Sequence, residues 1–320
     1  MKNIYIGIDT SNYTTSAALY SPDKQQVRQE KKPLTVQSGE RGLRQSEAVF
    51  QHTVNLPGVI TRLTKQSGGD ITAVGFSKSP RDLEDSYMPC FLPGISAAVS
   101  AAAVRDVPCY AFSHQAGHIA AALFSAGSLS LLDEPFIAFH ISGGTTESLL
   151  VEPDSQKIIK ISVLGATLDL HAGQAVDRVG VSLGLDFPCG EQLENLANNG
   201  TCPVRVSTAV KQGNCCLSGL ENQCAVLLQK GEPAENIAAF CIEYLARTVL
   251  KMIEYVLNLH PGLPLVFSGG VMSNKIIQRR ISEKYGAVFA SPGFSSDNAA
   301  GIAVLAGIAH NRNAEPYTAL

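Results

Sequence analysis

The chain has 320 residues, of which 45% are hydrophobic and 17% charged, and its formal net charge is −3. Those figures exclude a disordered chain, and no apolar run reaches the roughly 18 to 20 residues that a membrane-spanning helix needs. The small negative charge excludes a surface that is basic overall, as a general coat for nucleic acid would require, and leaves room for a local patch.

In chain order, the run from Met1 to Asp9 reads as a strand, with neither the long apolar region nor the cleavage site of a signal peptide, and predicts a cytoplasmic protein. Tyr5 to Leu19 is an apolar strand, a small polar turn, Thr14-Thr15 and a second apolar strand, which is the pattern of a β-hairpin. Ile71 to Ser77 is predicted as a short strand, Gly94 to Val104 as an Ala-rich packed helix, and Val107 to Phe112 as a strand running into a helix at His114. Phe136 to Leu150 then repeats the first hairpin. Under one fixed offset Ser11 falls on Ser142, and Thr14-Thr15 on Thr145-Thr146.

Further on, Leu164 to Asp169 reads as a loop leading to a helix that carries Asp177. The stretch from Phe187 to Gly219, rich in Gly, Cys, Asn and Pro, is predicted to be irregular, with an insertion. Ala234 to Leu257 is a long amphipathic helix, with Ile237, Phe240, Cys241, Tyr244, Leu245, Thr248, Val249 and Met252 on its apolar face. Leu263 to Ser268 is a buried strand, followed by Gly269-Gly270-Val271 and a helix from about Asn274. Asp297 to Ala309 is a helix of small residues. Such alternation implies helices on a largely parallel sheet, with added hairpin strands. The duplicated hairpin implies two related α/β lobes facing a ligand cleft, each turn offering backbone N–H groups and hydroxyls to a phosphate. Eight cysteines occur with no Cys-x-x-Cys spacing, which fits reduced, partly buried thiols.

Several residues can carry chemistry. His114 and His118 stand at i and i+4, so on a helix both rings project from one face, as paired nitrogen ligands for a divalent metal do; the same spacing also suits a merely structural pair. Asp297 adds a carboxylate where the last helix begins, as a third ligand or as that helix's N-cap. The turn Ser142-Gly143-Gly144-Thr145 and the strand-to-helix turn Gly269-Gly270 are built for close approach of a ligand to the backbone. Asn274 can donate to a phosphate or ribose, while Asp177 and Glu194, the latter four residues past the tight turn ending at Gly190, can accept from ribose hydroxyls or serve as caps. Lys275, Arg279, Arg280 and Lys284 cluster on one helix, which reads as a solvated charged face.

Taken together, the His114/His118 segment, Ser142 to Thr146, Leu164 to Asp177, Pro188 to Gly190, Leu217 to Leu220, Ser268 to Asn274 and Ser296 to Ala300 resemble the TsaD family, the tRNA threonylcarbamoyladenosine transferases once described as O-sialoglycoprotein endopeptidases. The resemblance spans almost the whole chain. It implies the actin-like ATPase fold of sugar kinases and Hsp70, with an N-terminal lobe over 1–112 and a C-terminal lobe over 113–320 whose last helix packs back on the first. It implies a divalent metal of the Fe, Zn or Mn class on His114, His118 and Asp297. It further implies ATP or an acyl-adenylate held by Ser142, Gly143, Gly144, Thr145, Asp177, Gly190, Glu194, Gly269, Gly270 and Asn274. The activity it implies is transfer of a carbamoyl-type group from threonylcarbamoyl-adenylate to an adenine amine of tRNA, with a TsaB-like protein partner and no membrane.

The chain departs from the family pattern at Tyr13 and Thr14, where acids are usual, at Thr145 in place of His, at Glu221 in place of Lys, and at Ser79 to Tyr87 in place of a Gly-Pro-Gly-Leu loop. These changes keep two alternatives in view, a paralogue with a non-tRNA acceptor and a non-catalytic nucleotide-binding partner. A metallopeptidase of the helical type needs a Glu beside the first His as general base; Gln115 stands there and cannot take a proton.

Overall fold

A computed structural model describes residues 3–11, 13–36, 43–65, 69–294 and 299–318. The chain divides into two compact units, one of residues 1–132, 153–160 and 297–320, the other of 133–152 and 161–296.

In the first unit, strands β1 (Asn3–Asp9), β2 (Thr14–Ser21) and β3 (Gln26–Pro33) form an antiparallel meander. Helix α1 (Gln45–Thr64), strand β4 (Asp70–Ser79), helix α2 (Leu92–Arg105), strand β5 (Cys109–Ser113) and helix α3 (His114–Ser125) follow. The sheet order is β3-β2-β1-β4-β5, with β4 and β5 parallel to β1. Alternation along β1 assigns the two faces. Ile4, Ile6 and Ile8 join Leu56, Val59 and Leu63 of α1 and Ala98 and Ala102 of α2 in one core, leaving Tyr5, Gly7 and Asp9 for the opposite face.

The second unit repeats this plan. Strands β6 (Phe136–Ile141), β7 (Thr146–Asp154) and β8 (Ile158–Ala166) are followed by helices α4 (Ala172–Ser182) and α5 (Gly190–Ala197), a short hairpin β9 (Ala209–Lys211) and β10 (Asn214–Cys216), and helices α6 (Ser218–Gln229) and α7 (Ala234–Leu259). Strand β11 (Leu265–Ser268), helix α8 (Lys275–Ser282) and strand β12 (Ala287–Phe289) complete it. The order β12-β11-β6-β7-β8 is that of the first sheet, with the hairpin antiparallel and β6, β11 and β12 parallel. Ile137, Phe139, Ile141, Leu265 and Phe267 turn to the helices and join a core with Phe240, Tyr244, Leu245 and Met252 of α7. Stacked rings of Phe139, Phe267 and Phe289, with centroids 5.0 Å apart at each step, lock three strands in register.

The last helix, α9 (Ala299–Asn311), returns to the first unit and packs on β1, β2, β4 and α3. Small residues permit this. A Cβ on Gly7 would overlap the backbone of Ala303 and Ala299, and one on Gly301 would overlap the Gly117 carbonyl of α3. This α3–α9 crossing keeps His114–Ser125 in the first unit, so the division does not fall at the 112/113 boundary that the sequence predicts.

Several elements correct the sequence reading. Helix α1 lies where no element is predicted, because Pro57 and its mixed polar composition hide the periodicity. The stretch 187–219, predicted irregular, contains α5 and the β9–β10 hairpin. Helix α6 follows it, capped by Asp169, whose carboxylate accepts the Leu217 N–H at 2.7 Å, the Ser218 N–H at 3.1 Å and the Ser218 hydroxyl at 2.6 Å. Partial burial would push that carboxyl up, but these bonds outweigh it and bring it down to about 2. All eight cysteines are free thiols; burial pushes Cys109 up to about 12 and Cys215 up to about 11, so both stay protonated and inert.

Candidate functional site

The first unit holds the histidine pair. Ser113 caps α3, its hydroxyl accepting the Ala116 N–H at 3.2 Å, and places His114 in the first turn. One turn on, His118 brings its Nε2 within 3.1 Å of the His114 Nε2. Two imidazole ligands on a tetrahedral metal with bonds of about 2.0–2.1 Å sit roughly 3.3 Å apart, so this pair needs little movement to share an ion.

Asp9, which ends β1, orients His114: its Oδ2 lies 2.8 Å from His114 Nδ1. The same carboxylate accepts the Ser11 N–H at 2.8 Å and the Ser77 hydroxyl. Complete burial would drive the Asp9 carboxyl up, but the facing His114 charge and the hydrogen bonds from His114, Ser11 and Ser77 outweigh it and hold the group well below the usual carboxylate range. When His114 is neutral, an ionised Asp9 keeps the remaining ring proton on Nδ1 and leaves the Nε2 lone pair free, as a carboxylate behind a metal-ligating histidine does. Asp9 is the functional residue that sequence reasoning missed. Its only signal was a carboxylate at the end of an otherwise apolar strand, and its distance of 105 residues from His114 concealed the pairing.

The third expected ligand, Asp297, lies outside the described residues. Among those described, no group of three or more His, Cys, Asp or Glu is arranged to hold a metal ion. Gln115 is nearly buried, and its backbone N–H donates to the Pro80 carbonyl at 3.1 Å.

The second unit holds a cavity of about 630 Å³, within the range of small-ligand sites. Six of the ten residues expected to bind nucleotide line it: Gly143, Asp177, Gly190, Glu194, Gly270 and Asn274. Each is brought there by local structure. Asp177 comes from α4, and its Oδ1 accepts the Cys189 N–H at 2.9 Å, tying α4 to the Phe187–Gly190 turn, whose Phe187–Pro188 bond is cis. Glu194 on α5 accepts the Lys275 N–H at 2.6 Å, and Asn274 caps α8 by accepting the Ile277 N–H at 3.0 Å, which leaves the Asn274 amide NH₂ as its donor. Sequence reasoning missed the apolar wall, chiefly Val176, Ile242, Val271 and Ile277, because such residues read only as core.

The other four expected residues serve the frame. The Ser142 hydroxyl accepts the Gly144 N–H at 3.3 Å and the Thr145 N–H at 3.1 Å, so those donors turn inward to shape the loop. The Ser142 N–H itself donates to the Thr145 carbonyl at 2.7 Å. Gly269 has φ +97°, and a Cβ there would overlap the Ile141 backbone; the residue is glycine so that β6 and the turn after β11 can touch. Gly173 does the same for Gly143, since a Cβ on it would lie 2.6 Å from the Gly143 nitrogen. Beside these turns, His140, Glu147 and Ser268 are buried neighbours across β7, β6 and β11, with His140 Nδ1 2.9 Å from the Ser268 hydroxyl.

A sequence profile of the TsaD family, described as tRNA N6-adenosine threonylcarbamoyltransferase, matches residues 26–304. A tRNA N6-adenosine threonylcarbamoyltransferase of Thermus thermophilus is 31% identical, over 97% of this chain and 94% of its own length. One from Thermosipho melanesiensis is 29% identical, over 94% and 93%. Among solved structures, full-length HypF in the phosphate- and nucleotide-bound form matches with a TM-score of 0.56 at 14% identity, over 96% of this chain and 56% of that one. A ROK family glucokinase from Streptomyces griseus matches with a TM-score of 0.53 at 10% identity, over 96% and 99%. At those identities the structures speak for the fold alone, and the fold is that of the actin-like ATPases.

Proposed function

This chain belongs to the TsaD family of tRNA N6-adenosine threonylcarbamoyltransferases, a family of transferases, and from that membership we propose that it moves a threonylcarbamoyl group from an adenylate to an adenine amine of tRNA. The observation that carries the reading is the convergence of Gly143, Asp177, Gly190, Glu194, Gly270 and Asn274, from four separate stretches of chain, on one cavity with room for an adenylate. Gly143 and Gly270 have open space where a Cβ would stand, so a phosphate can approach their backbone. Asp177 and Glu194 each spend one carboxylate oxygen on a backbone N–H and keep the other for ribose hydroxyls. Val176, Ile242 and Ile277 offer an apolar wall to the base.

In the transfer, the adenine amine attacks the carbamoyl carbon. A C–N bond forms, the bond from that carbon to the adenylate oxygen breaks, AMP leaves with the bonding pair, and the amine gives up one proton. A divalent metal on His114 and His118 would supply Lewis-acid polarisation of an oxygen bound to it. The chain's own part is to hold the two Nε2 atoms together and to fix the His114 tautomer through Asp9. A TsaB-like partner belongs to the same proposal. Phe50 and Val54, both exposed and one turn apart on α1, offer such a partner an apolar contact. Among the described residues no helix is long and apolar enough to cross a membrane.

Incubation of the purified protein and its partner with threonylcarbamoyl-adenylate and tRNA, followed by mass analysis of the nucleosides, tests the reading. A modified adenosine is expected, and its absence with every component present refutes tRNA as the acceptor. Titration of AMP into the protein and into Asp177→Ala tests the cavity separately, with a loss of at least tenfold in affinity expected.

A further inference from the structure

Six cations stand on the adjoining surfaces of two packed helices: Lys275, Arg279, Arg280 and Lys284 along α8 and just past its end, and Arg247 and Lys251 on α7. Three carboxylates lie among them. Glu243 Oε1 binds Arg247 at 2.6 Å and Arg280 at 3.0 Å, Glu254 binds Lys284 at 2.6 Å, and Glu283 stands 4.0 Å from Arg280. Among the described residues no carboxylate pairs with Lys275, Arg279 or Lys251. The Lys275 Nζ donates to the Gln278 side chain at 3.1 Å and the Lys251 Nζ to the Thr208 carbonyl at 3.2 Å. The ridge is thus locally positive on a chain whose total charge is −3.

We propose that this α7–α8 ridge is a docking surface for the phosphate backbone of the acceptor RNA; the proposal rests on the tRNA reading above. Three observations support this occupant. The ridge is continuous with the nucleotide cavity, because Lys275 lines that cavity and opens α8. From Lys275 to Arg280 the cations span roughly 8 Å of α8, with Lys284 just past its end, long enough to meet more than one phosphate along a strand. The exposed residues of α8 are charged or polar, and the helix's buried isoleucines Ile277 and Ile281 face inward, so the surface lacks the apolar anchors of a protein–protein contact and has the character of a phosphate-binding one. The ion pairs already present oppose docking little, since exposed pairs of this kind hold weakly and exchange partners readily. The ridge positions the RNA without reading its sequence, and the cations it uses most are those with no carboxylate partner.

The test is tRNA binding by fluorescence anisotropy across a salt series, for the full chain with its partner. The double variant Arg279→Gln/Lys251→Gln is compared with a control, Lys32→Gln/Arg105→Gln, that removes two exposed cations elsewhere. Lys275 is left intact because it lines the cavity. The ridge variant is expected to bind tRNA roughly tenfold more weakly and to lower the slope of log affinity against log salt by about two, while AMP affinity and the control stay unchanged. If the protein binds and modifies tRNA but the ridge variant keeps the parent affinity and slope, the ridge is an ordinary solvated face and the proposal falls while the transferase reading stands. If the parent neither binds nor modifies tRNA, both fall together.

Discussion

The two hairpins β1–β2 and β6–β7 share a sequence pattern and a topology, yet they perform different work. In β1–β2 the residue two before the turn serine is Asp9; in β6–β7 the matching residue is His140. Each is buried, and each is tied to a serine on the neighbouring parallel strand, Asp9 to Ser77 on β4 and His140 to Ser268 on β11. Beyond that point they diverge. The first hairpin spends its buried charge on orienting His114, whose Nε2 lies beside that of His118. The second turns its serine hydroxyl onto its own loop and leaves Gly143 open beside a cavity. A duplicated scaffold keeps the placement of a buried polar residue, and the identity of that residue decides which chemistry the hairpin supports.

The strongest way to break the comparison is Gly7→Ala. The matching position in the second hairpin is already alanine, Ala138, but in the first a Cβ would overlap the backbone of α9. A loss of about 3 kcal/mol is expected by denaturant titration, at the upper end for overpacking; a loss below about 0.5 kcal/mol would mean that α9 shifts freely. Next, Asp9→Asn removes the charge behind His114, and metal affinity measured against a competing chelator should fall about 10- to 100-fold. Unchanged affinity would make Asp9 a purely structural residue.

A smaller effect separates the two serines. Ser77→Ala deprives an ionised carboxylate of a donor, whereas Ser268→Ala deprives a histidine. The first should cost about 2 kcal/mol and the second about 1, since hydrogen bonds to charged groups are the stronger. Equal costs would argue against an ionised Asp9. The smallest effect lies away from both hairpins. Asp169→Ala should cost about 1 kcal/mol through loss of the α6 cap. Because the folded carboxyl sits at about 2, below its unfolded value near 3.9, the contribution is fully present above about pH 4 and disappears as pH falls towards 2. The variant and the parent should therefore converge in stability over that window, and a constant gap between them would exclude the charge as the source.

The sequence by itself determined the local features. The i, i+4 histidines, the two hairpins, the apolar stripe of α7 and the small-residue face of α9 are all periodicities that neighbouring residues impose on the backbone. Six cavity residues were also legible, Gly143, Gly270 and Asn274 from the chemistry of their turns and Asp177, Gly190 and Glu194 through the family resemblance. Tertiary structure alone decided the rest. Asp9 meets His114 only once β1, β4 and β5 lie side by side. Gly269 and Gly173 are needed only because Ile141 and Gly143 arrive from other strands and loops, and α5 and α6 form in a Gly- and Pro-rich stretch because Asp177 and Asp169 reach across to their first turns. Short-range propensity is encoded in adjacent residues, whereas a buried charge, a backbone crossing or a cap supplied from afar exists only after distant segments have been brought together.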